Sequence, residues 1–169
     1  VNMIYSSVYQ FHYNEVKTYF YASLFVLGNV LVPQLCHLIP QGGFIFLPIY
    51  FFTLIAAYKY GLSVGLLTAV ASPLVNHLLF GMPPLSVLPI LLVKSMLLAV
   101  FAAYFAKRVG KVTLWSVALS VIGYQLVGML FEWTFVGSIG VALQDIRLGY
   151  PGILIQIFVG YLVLISIKD

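Results

Sequence analysis

Between Thr18 and Ala106 the chain carries only two charged side chains, Lys59 and Lys94. Soluble domains carry roughly 25% charged residues. Over its 169 residues this chain carries 7%, against 63% hydrophobic residues, and its mean hydropathy is +1.09. Ordinary folding in water is thereby excluded. Crossing ~30 Å of hydrocarbon takes ~20 apolar residues in a helix. The apolar runs are continuous or helical in period, not alternating, which argues against a β-barrel. The expected fold class is therefore an all-α integral membrane protein with six transmembrane helices in one domain, 1–169.

Punctuation by Gly, Pro and charge divides that domain. Helices are expected at about 18–39, 44–58, 61–80, 85–106, 112–136 and 149–167, the second short for a full crossing. The breaks fall at Pro40-Gln41-Gly42-Gly43, Lys59-Tyr60-Gly61, Gly81-Met82-Pro83-Pro84 and Lys107-Arg108-Val109-Gly110-Lys111. Residues 1–17 mix Tyr5, Tyr9, Phe11 and Tyr13 with polar side chains and show no signal-peptide pattern. An amphipathic, interfacial start is expected there, with the six-helix bundle over 18–167.

The basic residues test this count. Lys17, Lys59, Lys107, Arg108, Lys111 and Lys168 all fall on one face if there are six helices, and the opposite loops carry Arg147 beside Asp145. Short loops rich in Lys and Arg mark the cytoplasmic side. Both termini are accordingly expected in the cytoplasm, in a multi-pass protein of a bacterial cytoplasmic (inner) membrane. Topology also accounts for the net charge of +4, so membrane lipids are expected as neighbours and nucleic acid is not. A single cysteine, Cys36, rules out an internal disulfide.

Ionisable groups inside a span usually face a partner or a cavity. Lys94 lies within the fourth helix and Glu132 in the outer part of the fifth. Gln125, Gly128 and Glu132 share one helical face with Tyr124 beside it, and Gly149, Gly152, Gln156 and Gly160 form a stripe on the sixth. Asn76 and His77 end the third helix, and Gln34 and His37 approach the same surface from the first. One reading is an outward-opening polar pocket, with Lys94 and Glu132 as charged contacts and Asn76, Gln125 and Gln156 as hydrogen-bonding groups. The alternative is an internal Lys94–Glu132 ion pair, with amides tying helices and glycines only packing. One cation and one anion suggest a zwitterionic or carboxylate-bearing ligand, and the aromatic content suits a flat ring.

Cys36-His37 does not make a metal site, because adjacent helical residues point about 100° apart and no HExxH or paired-cysteine spacing accompanies them. No cofactor is expected. Intramembrane hydrolysis lacks a GxSG sequence and paired aspartates, and Ser63-Val64-Gly65 is a helix start, not a nucleophile elbow. Ala99/Ala103 and Ala102/Ala106 form a small-residue seam that suits close packing, within the chain more than between chains.

The stretch Leu47-Pro48-Ile49-Tyr50-Phe51-Phe52-Thr53-Leu54-Ile55-Ala56-Ala57-Tyr58-Lys59-Tyr60-Gly61, continuing through Gly65-Leu66-Leu67-Thr68-Ala69 to Ser72-Pro73, carries a resemblance. It resembles the helix 2–loop–helix 3 region of the substrate-binding S components of energy-coupling-factor transporters. Phe80-Gly81-Met82-Pro83-Pro84 and Lys94-Ser95 look similar to a subgroup of that family, and the likeness extends over most of 18–167. The resemblance implies capture of a vitamin-like small molecule at the outer face, a transmembrane coupling subunit and two ATPase subunits as partners, and no enzyme activity in this chain. It implies Lys94, Gln125, Glu132 and Gln156 in the pocket, with His37, Asn76, Asp145 and Arg147 at its lid. One departure is that the Ala-xxx-Ala patch frequent in the family's first helix is replaced by Ala22 and Gly28 at unsuitable spacing. No GxxxxGK[ST] sequence occurs, so ATP hydrolysis falls to another chain. The competing readings are a membrane enzyme acting on a lipid or isoprenoid head group, with Glu132 or His77 as base, and a membrane assembly protein.

The one-sided basic residues generate a topology prediction. In intact cells, a cysteine introduced as Val109→Cys is expected to stay unlabelled by an impermeant thiol reagent applied from outside. Labelling from outside would reverse the orientation.

Overall fold

The computed structural model describes residues 8–167. Residues 1–7 of the expected interfacial segment, with Tyr5, and the basic Lys168 lie outside the described residues. Every regular element within them is helical: α1 Val16–Cys36, α2 Gly42–Phe46, a 3-10 turn Pro48–Tyr50, α3 Phe51–Tyr60, α4 Leu62–Phe80, α5 Leu88–Val109, α6 Leu114–Val136, α7 Ile139–Ala142, α8 Gln144–Arg147 and α9 Tyr150–Ser166. By length and composition α1, α4, α5 and α6 are able to cross a membrane. A fifth crossing results if the segment Ile139–Arg147 and α9, bent by 47°, form one span.

Local chemistry explains most of these ends. Gly81, Gly110 and Gly137 close α4, α5 and α6 with φ of +65, +70 and +75°, a conformation without steric cost in glycine. Thr113 caps α6 by accepting from the Ser116 backbone N–H at 3.2 Å. Pro89 and Pro151 sit in the first turns of α5 and α9, where a missing N–H costs nothing.

Six crossings are expected, yet four or five stretches are able to span, and the expected single helix over 44–58 is where the structure differs most. The chain instead breaks into α2, the 3-10 turn and α3, with Gln41 and Leu47 at positive φ. Pro48 explains the break, because it lacks the N–H that a continuing helix would need and restricts the residue before it. What remains of the helix, α3, has ten residues, about 15 Å at 1.5 Å per residue and half of a ~30 Å hydrocarbon layer.

This short helix is the centre of the bundle. Every residue from Thr53 to Tyr60 is buried, and α3 packs against α1, α4, α5 and α9. Small side chains on α5 allow that approach. Ala99, Ala102 and Ala106 are all buried, so the alanine seam is used for packing within the chain.

One end of the bundle is held by polar contacts. The Tyr9 N–H donates to Lys59 O at 2.7 Å and the Phe11 N–H to Tyr60 O at 3.1 Å, laying residues 8–11 along the end of α3. Tyr21 and Tyr60 stack there at 4.3 Å between centroids. The Tyr58 hydroxyl donates to Lys111 O at 3.1 Å and bonds the Ser116 hydroxyl. Lys59 does not lie in a loop: it is fully buried in α3, donates to Ile167 O at 3.2 Å and sits 5.3 Å from the Tyr9 ring centroid.

α3 and α4 meet at Gly65, where a Cβ would fall 2.4 Å from Ala57 Cβ and 2.8 Å from Ala57 Cα. Backbone cannot give way as a side-chain tip can. Gly65→Ala is therefore expected to lower the melting temperature in detergent by the equivalent of about 1–3 kcal/mol. Gly140→Ala, whose nearest neighbour would be Ser138 Oγ at 3.9 Å, is expected to leave it unchanged. Equal melting temperatures for both variants would contradict this packing.

Candidate functional site

The opposite end of α5 holds the most unusual group in the bundle. Lys94 lies six residues inside the start of α5 and is 2% exposed, about 9 Å along the helix axis. Its ammonium donates to Glu132 Oε2 and to Asp145 Oδ2, the latter at 2.7 Å. Glu132 and Asp145 are 12% and 16% exposed. Three elements, α5, α6 and α8, thus place one cation between two carboxylates.

α6 makes room for the lysine. Gly128 lies one turn before Glu132, and a Cβ on it would fall 2.8 Å from Lys94 Cγ. The missing side chain lets the aliphatic stem cross α6 while the head reaches the carboxylates, as long basic side chains do at apolar boundaries. Gly128 and Glu132, on the face read from spacing, are therefore turned to Lys94 of α5. The close approach that Gly128 permits is that of Lys94 itself.

Deeper on the same side lies an uncharged network. The Tyr124 hydroxyl donates to Gln156 Oε1 at 3.0 Å and accepts from Gln125 Nε2 at 3.0 Å. Tyr50 and Tyr124 pack with ring centroids 5.3 Å apart. Gln156 is 1% exposed and its Nε2 has no hydrogen-bond partner among the described residues. With its Oε1 accepting from the Tyr124 hydroxyl, the amide nitrogen is the end left without a partner. A buried amide without a partner carries a desolvation cost of about 1–3 kcal/mol.

The remaining residues expected at the site lie elsewhere. Asn76 is committed to a separate tie, its Nδ2 donating to Asn29 O and Ser72 O, both at 2.9 Å, while its Oδ1 accepts from Gln34 at 3.4 Å. His77 Nδ1 donates to Pro83 O at 2.8 Å, since a carbonyl only accepts, and so pins the α4–α5 loop. His37 is exposed with its ring against Gly43, and Arg147 is exposed on α8. None of the bonds made by Asn76 or His77 reaches Lys94, Glu132 or Asp145. Two residues that sequence reasoning passed over are structural centres: Asn29, which donates to Thr53 and Ser72 and accepts from the Phe52 N–H, and Tyr50. An asparagine in the middle of an apolar helix was the available signal for Asn29.

No group of three or more metal-ligating side chains occurs among the described residues. An apolar groove of about 400 Å³ runs between α1 and α4, lined by Ala22, Val26, Val30, Leu67, Ala71 and Val75 among others. It holds no charged group and suits lipid chains. The chemistry is concentrated at Lys94. Comparison with known protein families, with curated proteins and with solved structures returns no match.

The triad generates a stability prediction. Lys94→Met leaves two carboxylates without their cation and is expected to cost about 3 kcal/mol, the lower end of the range for breaking a buried pair, because both acids keep some exposure. The triple variant Lys94→Met/Glu132→Gln/Asp145→Asn is expected to recover most of that loss. Thermal unfolding of the two variants in detergent checks it, and a triple variant no more stable than Lys94→Met would contradict the electrostatic account.

Proposed function

We propose that this chain is the substrate-capturing membrane subunit of an importer of the energy-coupling-factor type. It takes a vitamin-like small molecule at the outer face of a bacterial cytoplasmic membrane, and partner subunits drive the uptake with ATP. One observation carries the reading: a buried ammonium held between two carboxylates, in a bundle whose α9 also carries a buried amide with a polar atom to spare. Ionisable groups at such depth are costly and mark substrate paths by default. The stretch from Leu47 to Pro73 and its resemblance to S components supports the same reading.

On this reading the chain crosses the membrane six times, with the broken stretch 42–60 as the second crossing and both termini in the cytoplasm. The end carrying Lys107, Arg108 and Lys111 faces inward, and Lys94, Glu132 and Asp145 face outward. Gln125, Gln156 and Tyr124 line the inner part of the site, and His37, Asn76, His77 and Arg147 belong to its rim or to the scaffold behind it. The partners are a transmembrane coupling subunit and two ATPases, because this chain has no phosphate-cradling motif of its own.

A second reading, that the triad only ties α5, α6 and α8 in an assembly protein, is favoured by the fact that both carboxylates already accept from Lys94. Capture and tying differ in what the folded protein holds. The capture reading expects a defined small molecule in mass spectra of material released from the purified wild-type protein, and its loss from a folded Glu132→Gln variant. In liposomes the chain alone is expected to bind without energy-dependent accumulation. Accumulation driven by this chain alone, or release of nothing beyond lipid, would overturn the reading.

A further inference from the structure

The structure changes the charge of the site from what Lys94 and Glu132 alone suggest. Asp145 approaches from α8 and donates nothing; it accepts from the same ammonium at 2.7 Å. With one cation and two carboxylates the cluster has a formal charge of −1. Arg147, two residues on, is exposed on α8, and residues two apart on a helix do not share a face. His37 and His77 lie against Gly43 and Pro83. Among the described residues, the cluster therefore keeps a formal negative charge in surroundings where an uncompensated carboxylate is costly.

An entering anion would raise that charge to −2 and meet two carboxylates. An entering cation would bring it to zero. The second fixed feature is the spare Gln156 amide, whose Nε2 is a donor without an acceptor and whose Oε1 is bound to Tyr124. Tyr124 lies one turn before Gly128 on α6, and Gly128 touches the Lys94 stem. The Tyr124 hydroxyl holds this amide and the Tyr50 ring packs on that of Tyr124, and aromatic faces attract cations as well as stack flat rings.

We infer that the site selects a monocation: a small, flat molecule whose positive charge is taken by Glu132 and Asp145 and whose hydrogen-bond acceptor is taken by Gln156. The inference rests on the capture reading and narrows its substrate class, replacing the zwitterionic or carboxylate-bearing ligand that Lys94 and Glu132 alone suggest. Lys94 then acts as the resident counter-ion, holding the carboxylates together until the ligand shares them. Binding loosens the contact between Lys94 and one acid without exposing any charge unpaired.

Three probes with nearly the same ring and carboxamide or carboxylate differ in charge: 1-methylnicotinamide as cation, nicotinamide as neutral form, nicotinate as anion. Their binding to the full chain in detergent is measured by calorimetry up to roughly 10 mM, where weak recognition still registers. The cation is expected to bind at least about tenfold more tightly than either match. Asp145→Asn is expected to abolish that preference while the protein stays folded by thermal unfolding, and Gln156→Leu is expected to weaken the cation and neutral probe alike. Should Asp145→Asn fail to fold, Glu132→Gln makes the same test. Equal affinities, or no binding by any probe, overturn the cation assignment. A preference for nicotinate that depends on Lys94 overturns it too, yet leaves the capture reading standing.

Discussion

A polar group placed among apolar helices has no water to turn to, so it must find its partner within the chain or give up several kcal/mol. That constraint organises this protein. Polar assemblies bind the bundle together, and each of those that follow fastens elements distant in sequence. At one end Tyr58 and Lys59 tie the end of α3 to the α5–α6 turn and to Ile167. In the middle Asn29 and Asn76 tie α1, α3 and α4. At the other end Lys94 joins α5, α6 and α8. Remove the apolar surroundings and each would be a minor surface contact.

The central position of α3 follows from the same requirement combined with size. A helix of ten residues is too short to cross hydrocarbon alone, but surrounded by α1, α4, α5 and α9 its backbone ends are met by protein. Its upstream end is continued by the 3-10 turn and α2, and Gly152 on α9 lies so close to α2 that a Cβ would fall 2.4 Å from Phe46 O. Irregular backbone at such depth is tolerated where protein covers it. The broken stretch also carries Tyr50 to the ring of Tyr124, and so builds one wall of the candidate site.

Much of that cluster is legible in the sequence. Lys94 and Glu132 stand out because charge is so scarce, and helical spacing puts Gln125 and Gly128 on the face with Glu132. Gln156 is marked by a glycine stripe. Asp145 is different: only the resemblance puts it at the lid, and in sequence it is a loop acid beside Arg147, indistinguishable from a solvated pair. It lies 51 positions from Lys94, and no local pattern encodes so distant a contact. Asn76 and His77 stand apart from that cluster. Their position near a helix end suits a pocket, but Asn29 and the carbonyl of Pro83 claim their hydrogen bonds.

What the sequence determined by itself was the all-helical, membrane-type class of fold, the rough limits of the four longest helices, and the residues too polar to be indifferent to their place. Those properties are local: hydropathy sets the solvent, a 3.6-residue period sets the face, and glycine or proline sets the end. Only the tertiary structure decided which polar groups meet. It buried Lys59, which reads as a loop lysine, broke the second helix at Pro48, gave Asn76 to the scaffold, and set Asp145 against Lys94, turning a balanced pair into a cluster of net negative charge. Such pairings depend on how helices separated by dozens of residues pack. Packing answers to the shapes of all the side chains at once, to no single stretch of them.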